Sequence, residues 1–154
     1  MGAPVTVRVQ REDFDLSAEV SKLSSDRPDI GAVVTFSGLC RDEAGMLAAL
    51  ELEHYPGMAE AEIERICNLA VERFGLQAAT AIHRYGRIIP GENIVLVVTA
   101  SPHRQAAFDG ASFIMDFLKT SAPFWKKEHL TDGTAGSWVS AKDADDTARD
   151  RWKR

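Results

Sequence analysis

Residues 93–119, NIVLVVTASPHRQAAFDGASFIMDFLK, pass from the pattern of a strand to that of a helix. The β-branched run from Asn93 to Thr99 predicts a strand. Ser101 and Pro102 are typical of an N-cap and a first helical position, so they predict a helix that runs to about Lys119. This helix carries two neighbouring apolar stripes, formed by Ala107, Ala111, Ile114 and Leu118 and by Ala106, Gly110, Phe113 and Phe117. So broad an apolar face indicates burial on more than one side, and a subunit interface is one way to supply the second side.

The segments before this stretch alternate irregularly between strand and helix patterns. Residues 59–74 have the apolar stripe of an amphipathic helix that ends at a glycine, and the Pro90-Gly91 turn precedes the strand described above. The remaining predicted elements are strands at 29–37, 47–55 and 78–83, a loop at 38–45, and a short helix from Leu16 to Leu23 with Asp15 as its cap. We therefore expect an α+β fold, with a largely antiparallel sheet and flanking helices, in a single domain spanning residues 1–154.

Composition limits the classes of function. The chain has 154 residues and a formal net charge of −5, which argues against a general nucleic-acid binder. Its two cysteines, Cys40 and Cys67, belong to no CxxC or Cys/His cluster, so we expect neither a disulfide-rich scaffold nor a metal site. The sequence has no apolar run of membrane-spanning length and no pattern of a secretory signal, which favours a cytoplasmic protein that does not use a membrane. Residues 140–154 are highly charged and are expected to fray, as a mobile tail, or to form a surface helix.

Three cationic side chains could bind an anion. His103 and Arg104 fall in the first turn of the predicted helix, where the positive end of the dipole and free N–H groups favour phosphate or carboxylate. Arg41 lies in a loop after a strand, and its guanidinium group suits phosphate. The alternative is that all three are ordinary surface residues, with Arg41 paired to Asp42 or Glu43.

Lys119, Lys126 and Lys127 flank an apolar and stiff connector at residues 123–125, Pro-Phe-Trp. Desolvation beside aromatic surface favours a neutral amine, which is the better nucleophile and proton-transfer group. Alternatively, Lys119 only complements the negative end of the helix dipole and pairs with Asp116, and the other two lysines flank a packed tryptophan.

The cysteines and two of the histidines have simpler interpretations. Cys67 lies on the apolar stripe of a helix and is expected in the core. Cys40 could be a thiol activated by the adjacent arginine, but no histidine lies near it in sequence to form a thiolate pair. His54 and His83 fall in predicted strands and are expected to be structural.

Three segments together resemble the large, catalytic subunits of molybdopterin synthase. They are GAVVTFSGLCRDEAG (31–45) with LELEHYPGM (50–58), IHRYGRIIPGENIVLVVTASPHRQAAF (82–108), and FIMDFLKTSAPFWKKE (113–128). The string FLKTSAPFWKKE in combination with SPHR is the most specific part. The similarity covers about residues 30–130 and continues weakly through Trp138.

This resemblance implies an α/β-hammerhead type of fold and a dimer of large subunits. Each large subunit would bind one small ubiquitin-like subunit, giving a heterotetramer, and the C-terminal Gly-Gly thiocarboxylate of the small subunit would donate sulfur. The implied substrate is cyclic pyranopterin monophosphate, and the implied product is the dithiolene molybdopterin, formed by two sulfur transfers through a hemisulfurated intermediate. The reaction implies no cofactor and no metal.

The resemblance also assigns site residues. Lys119 and Lys126 match the catalytic positions, and their roles stay open between holding the phosphate, moving protons and attacking the thiocarboxylate carbonyl. The matching substrate-binding positions are Arg41, His103 and Arg104, more loosely Lys127 and Glu128, and, near the pocket, Phe36 and Met115. His103 and Lys119 are about 24 Å apart along a helix of 1.5 Å rise per residue, so we expect one site to be shared between two chains.

The chain also departs from the family pattern. The loop 38–45 contributes no basic residue besides Arg41, and residues 130–154 match poorly. An alternative function is a non-catalytic binding module that keeps the fold and the partner groove, and a third is an unrelated anion-binding enzyme. The presence of Lys119, Lys126, His103 and Arg104 favours the enzyme. Product formation with a thiocarboxylated partner would distinguish the enzyme from the other two functions.

Overall fold

The computed structural model describes residues 3–121, 123–139 and 152. In chain order the elements are β1 (Val5–Gln10), α1 (Leu16–Ser24), β2 (Ala32–Leu39), β3 (Leu47–His54), α2 (Met58–Phe74), β4 (Ala78–Arg84), β5 (Gly86–Ile88), β6 (Asn93–Ser101), α3 (Arg104–Thr120) and β7 (Phe124–Leu130). In these residues no helix has both the length and the apolar character needed to cross a bilayer. The expected C-terminal tail lies outside the described residues, apart from Trp152.

The strands form two sheets. The large sheet has the order β1-β4-β6-β2, and the small sheet has the order β5-β3-β7. Strands β1 and β4 pair in parallel, whereas the other pairings in both sheets are antiparallel. The prediction of an α+β fold with largely antiparallel pairing is therefore confirmed, with two sheets in place of one.

The core lies on both faces of the large sheet. On one face, the strands pack against α2 and α3 through side chains such as Ala81, Val97, Ile63, Ile66 and Ile114. On the other face, Ile82, Leu96 and Val98 pack against residues in and just before α1, namely Phe14, Val20 and Leu23. Because β4 and β6 are covered on both faces, their sequences are continuous apolar runs without alternation.

Helix α3 begins later than the sequence predicts. Its first residue is Arg104 and its N-cap is His103, so the predicted cap at Ser101 is wrong by two residues. Ser101 instead ends β6, where it pairs with Ala32, and its hydroxyl donates a hydrogen bond to the carbonyl of His103. The ladder therefore extends through Ser101 and delays the helix, because a residue in a β ladder has backbone groups already engaged.

The second apolar stripe of α3 is covered within the same chain. Gly110 lies so close to Leu76 that an added Cβ would be 2.7 Å from Leu76 Cδ1. Phe113 meets Phe74 of α2 edge to face, with ring centroids 5.5 Å apart. The breadth of this face therefore does not require a subunit interface, contrary to the possibility raised by the sequence.

Three strands of the described structure, β1, β5 and β7, are not predicted from the sequence. Strand β1, VTVRVQ, has the alternation that could have identified it, whereas β5 has three residues and is too short to give a pattern. Strand β7, FWKKEHL, contains Phe124 and Trp125 of the expected connector, and it pairs with β3 along its whole length. The expected short helix with Asp15 as its cap and the helix ending at Gly75 are confirmed.

Candidate active site

A cleft of about 560 Å³ opens between the small sheet, the loop after β2 and the C-terminal end of α3. Three predicted cations line it, namely Arg41, Lys119 and Lys126, and Glu128 lines it with them. Its apolar walls include Leu47, Leu50, Leu52, Ile94, Leu118 and Phe124. A concave apolar site with a few convergent polar groups is typical of a small-molecule pocket, and this volume falls in the usual range.

Lys119 and Lys126 reach the cleft from two different elements. Helix α3 ends at Thr120 and β7 begins at Phe124, so only three residues of sequence separate the two elements that carry the lysines. Lys119 is exposed in the last turn of the helix, whereas Lys126 is half-buried in the strand. The alternation of β7 places Glu128 on the same face as Lys126. Two of the three residues of the expected connector, Phe124 and Trp125, thus belong to β7, and the lysines at either end of this segment line the same cleft.

Arg41 lies at the exposed rim of the cleft. Its guanidinium group donates to Glu43 Oε1 at 2.8 Å, and both side chains are largely exposed. The predicted pairing with Glu43 is therefore present, and Arg41 lines the cleft as well. Because an exposed ion pair contributes little free energy, an anionic ligand can compete with Glu43 for Arg41.

The cleft is locally cationic in an acidic protein. Among the described residues that line it, Arg41, Lys119 and Lys126 face two carboxylates, Glu43 and Glu128, whereas the whole chain has a net charge of −5. A concave site lined by excess positive charge attracts small anions even when the overall charge opposes them. The predicted pair between Lys119 and Asp116 does not form, and Asp116 Oδ2 accepts a hydrogen bond of 2.6 Å from Trp152 Nε1.

Cys40 and His83, which were not predicted as site residues, also line the cleft. Cys40 is 3% exposed and packs with Leu52 and Ile88. Burial, together with the negative charges of Glu92, Asp42 and Glu128, raises the pKa of the Cys40 thiol. This environment disfavours the thiolate, which opposes the alternative of an activated cysteine.

His83 is the second of these residues. Its Nδ1 lies 2.8 Å from the carbonyl oxygen of Arg84, and its ring stacks on Phe124 with centroids 3.9 Å apart. Burial lowers the pKa of His83 to about 4, the bond to Arg84 opposes this shift, and the charges of Lys119 and His54 add to it. Its position at the end of a buried strand was the available signal, because strand ends commonly carry site residues.

Four predicted residues lie away from this cleft. His103 and Arg104 are exposed at the opposite end of α3, and α3 makes no side-chain cap hydrogen bond at His103. Phe36 is 42% exposed on β2, at the edge of the large sheet. Met115 is half-buried on α3 and packs against the main core. A single chain therefore brings Arg41, Lys119, Lys126 and Glu128 together, without these four.

Lys127, a looser assignment, is also absent from the cleft. It follows Lys126 on β7 and so lies on the other face of the small sheet. Its ammonium group is 5.7 Å from the centroid of the Trp138 ring, a cation–π contact. Lys127 is therefore a structural neighbour of the site in this chain and not a lining residue.

Comparisons with known proteins agree on one family. The family described as MoaE protein matches residues 9–121. The molybdopterin synthase catalytic subunit of Rhizobium meliloti (strain 1021) is 84% identical over 154 residues, covering 100% of this chain and 99% of that protein. The solved structure of the molybdopterin biosynthesis MoaE protein from Burkholderia ambifaria MC40-6 is 46% identical and superposes with a TM-score of 0.84, covering 97% of this chain and 99% of the other.

A more distant structure shares the fold. It is the complex of subunits 1 and 2 of molybdopterin-converting factor from Helicobacter pylori 26695, with 19% identity, a TM-score of 0.68 and coverage of 90% of each chain. At this identity the likeness shows the fold alone. The match along residues 9–121 and the full-length identity of 84% decide the assignment. The chain belongs to the MoaE family, the catalytic subunits of molybdopterin synthase.

Proposed function

We propose that this chain transfers two sulfurs to cyclic pyranopterin monophosphate, forming the dithiolene of molybdopterin. The sulfur donor is the thiocarboxylated Gly-Gly C-terminus of a small ubiquitin-like subunit. The observation that carries the proposal is the convergence of Arg41, Lys119 and Lys126 on one cleft in a chain of the MoaE family. The reaction takes place in the cytoplasm, because the sequence features favour a cytoplasmic protein.

The charges of the cleft suit both reactants. A phosphate and a thiocarboxylate are anions, and each can accept hydrogen bonds from guanidinium or ammonium groups. As sulfur adds and oxygen leaves, negative charge develops on oxygen, and fixed cations stabilise that charge. Lys119 and Lys126 supply these cations from α3 and β7, two elements that both border the cleft.

The rim of the cleft suits a protein partner. Leu39 and Met46 line the cleft and are 52% and 57% exposed. Exposed large hydrophobic residues next to a pocket are common at protein interfaces. The Helicobacter pylori structure that shares this fold is a complex of two subunits of molybdopterin-converting factor.

The active site draws on two copies of the chain. His103 and Arg104 lie at one end of α3 and Lys119 at the other, about 24 Å away along a helix of 1.5 Å rise per residue. A pterin monophosphate is about half that long, so one chain cannot present both groups to one ligand. A twofold pairing brings His103 and Arg104 of one chain to the cleft of the other.

The edge of the large sheet supports such a pairing. In the described part of the chain, β2 pairs with β6 along one side and has no strand along its other side. Val33 and Phe36 on this strand are 37% and 42% exposed. A long edge strand with exposed hydrophobic side chains favours association with another chain. Because α2 covers the apolar face of α3, this edge, and not that face, is the surface we assign to the dimer.

Reconstitution tests the proposal. The chain is mixed with a thiocarboxylated small subunit and the pterin precursor, and mass spectrometry follows the gain of two sulfurs. The control is the same small subunit with an ordinary C-terminal carboxylate, which must give no product. Binding of the small subunit without any sulfurated pterin would support the alternative of a non-catalytic binding module.

A further inference from the structure

His83 has no role among the site residues considered above, although it lines the same cleft as Lys119. It belongs to β4 of the large sheet, whereas Lys119 belongs to the last turn of α3. The two groups are close enough for the positive charge of Lys119 to oppose protonation of His83.

The hydrogen bond of His83 fixes its tautomer. Nδ1 lies 2.8 Å from the carbonyl oxygen of Arg84. A carbonyl oxygen can only accept, so Nδ1 carries the proton and donates it. In the neutral ring, Nε2 then holds a lone pair and acts as an acceptor.

Aromatic packing fixes the orientation of the ring. The imidazole stacks on Phe124 with a centroid distance of 3.9 Å and an interplanar angle of 20°. Phe124 stacks in turn on His54, at 6.1 Å and 29°. With one nitrogen bound to backbone and one face held by a ring, His83 has little freedom to rotate, so Nε2 is a preorganised acceptor.

Lys119 presents the opposite case. Its side chain is exposed, and within residues 3–121, 123–139 and 152 no carboxylate lies within 4.0 Å of its ammonium group. A free lysine side chain samples many rotamers, and ordering it costs conformational entropy. A catalytic ammonium group in this position needs an acceptor that restricts it.

We propose that His83 is a positioning residue for Lys119, with Nε2 accepting a hydrogen bond from the Lys119 ammonium group when the cleft is occupied. The two groups make no direct hydrogen bond in this structure, and catalytic hydrogen bonds commonly tighten when substrate binds. The inference rests on the proposed function. It also assigns Lys119 a role that the sequence left open, because an acceptor stabilises the charged ammonium form. Lys119 then acts as a fixed cation and not as a nucleophile.

Other charged groups around the cleft are cations, are already engaged, or lack the fixed orientation of His83. Lys126 on β7 and Arg41 on the loop after β2 are cations and cannot accept. Glu43 is engaged by Arg41, and Glu128 is exposed on β7. His54, on β3, is separated from His83 by Phe124, which stacks on both rings.

Two substitutions separate the two nitrogens of His83. In His83→Asn the amide nitrogen takes the place of Nδ1 and keeps the bond to Arg84, whereas the acceptor at Nε2 is lost. In His83→Gln the amide oxygen reaches the place of Nε2 and restores the acceptor. Both variants are assayed with thiocarboxylated small subunit and pterin precursor, next to the unmodified chain.

We expect His83→Asn to lower kcat by about 10- to 100-fold, the usual effect of misplacing a catalytic group. The KM for the pterin and the affinity for the small subunit should stay within about twofold, since uniform binding is untouched. The alkaline limb of the pH profile of kcat should move to lower pH, because the ammonium form loses its acceptor. His83→Gln should recover most of the rate.

Wild-type turnover and an unchanged pH profile in His83→Asn would overturn the inference and leave the proposed function intact. Equal losses in both variants, with KM and partner binding changed alongside, would show a merely structural histidine and would also overturn it. If the unmodified chain itself forms no sulfurated pterin, the proposed function fails. This result does not depend on either variant.

Discussion

Lys119 and Lys126 line one cleft, although the first ends a helix and the second lies in a strand of a separate sheet. Their neighbour Lys127 lies on the opposite face of the same strand, 5.7 Å from the Trp138 ring. The three lysine side chains are chemically identical and differ only in where the backbone places them. This difference supplies a matched set of variants.

Lys119→Ala should lower product formation by about 100-fold or more, comparable to the loss of one oxyanion-stabilising donor. Because the side chain is exposed, the free energy of unfolding should change by less than about 0.5 kcal/mol. Binding of the small subunit should be retained. Lys127→Ala is the control and should keep near-normal turnover in the same sulfur-transfer assay. Normal turnover by Lys119→Ala would remove this lysine from the mechanism.

Cys40→Ser should keep substantial specific activity, since the sulfur comes from the partner and the buried thiol is held in its neutral form. The hydroxyl enters an apolar cluster and should lower stability by about 1–3 kcal/mol. Cys67→Ser is the matched control, because Cys67 is fully buried but lies outside the cleft. Thermal unfolding and specific activity of the folded fraction are measured together. Loss of activity in Cys40→Ser alone would reopen a thiol mechanism.

Gly31→Ala should disturb the start of α3. A Cβ at Gly31 would lie 2.0 Å from the carbonyl oxygen of Pro102, which is backbone and cannot rotate away. We expect a loss of about 1–3 kcal/mol in stability, as for other overpacked sites, and a further loss of turnover because His103 follows Pro102 directly. Gly136→Ala is the control, since its Cβ would meet its nearest neighbour at 3.9 Å. Equal melting temperatures for the two variants would contradict the close approach.

The free energy of unfolding should decrease as the pH is lowered from about 6.5 to 4, because of His83. The folded protein resists protonation of this ring until about pH 4, whereas the unfolded chain takes up the proton near the ordinary pKa of 6.5. The unfolded state therefore binds more protons across this window, and the free energy of unfolding falls by up to about 3 kcal/mol as the pH is lowered. Urea titrations at several pH values measure this slope. His83→Asn should show a shallower fall, and an identical slope would contradict a neutral His83.

The sequence identified most of the fold through its long elements, as α2 and α3 show. The prediction of Ser101 as the N-cap of α3 was wrong for a physical reason. The backbone of Ser101 is already paired with Ala32 in the β ladder, so Ser101 cannot cap the helix. Strand β7 was hidden because two of its seven residues are adjacent lysines, and only pairing with β3 shows that they point in opposite directions. A local sequence pattern does not show which strands pair when they are distant in sequence.

The candidate site was predictable where a motif carried it and not elsewhere. Lys119, Lys126 and Arg41 came from their sequence context and from the resemblance, and the structure brings them together. His83 did not, because its significance depends on Phe124 lying against its ring and on its bond to Arg84. Neither contact is visible in the spacing of residues along the chain.

Mixed dimers should reveal whether His103 and Arg104 serve the cleft of a second chain. Arg104→Ala and Lys119→Ala are each expected to be inactive as homodimers. A heterodimer has one site with both groups intact and one site with neither, because each chain gives its Arg104 to the partner's cleft. Co-expressed chains with two different affinity tags yield the verified heterodimer. Sulfur transfer by this species should recover to about half of the wild-type value per dimer, as one site of two is complete.

A site confined to one chain gives a different result, because every cleft in the heterodimer would then lack one residue. Lys119→Ala mixed with Lys127→Ala provides the control for tag and assembly effects. The cleft of its Lys127→Ala chain is complete whether His103 and Arg104 come from the same chain or from the partner. A second control restricts association through the edge of the large sheet. Phe36→Glu places a charge on β2, whose exposed hydrophobic residues we assign to the interface, and should shift the protein to monomers in analytical ultracentrifugation. An active monomer, or a verified Arg104→Ala/Lys119→Ala heterodimer without turnover, would contradict the shared site.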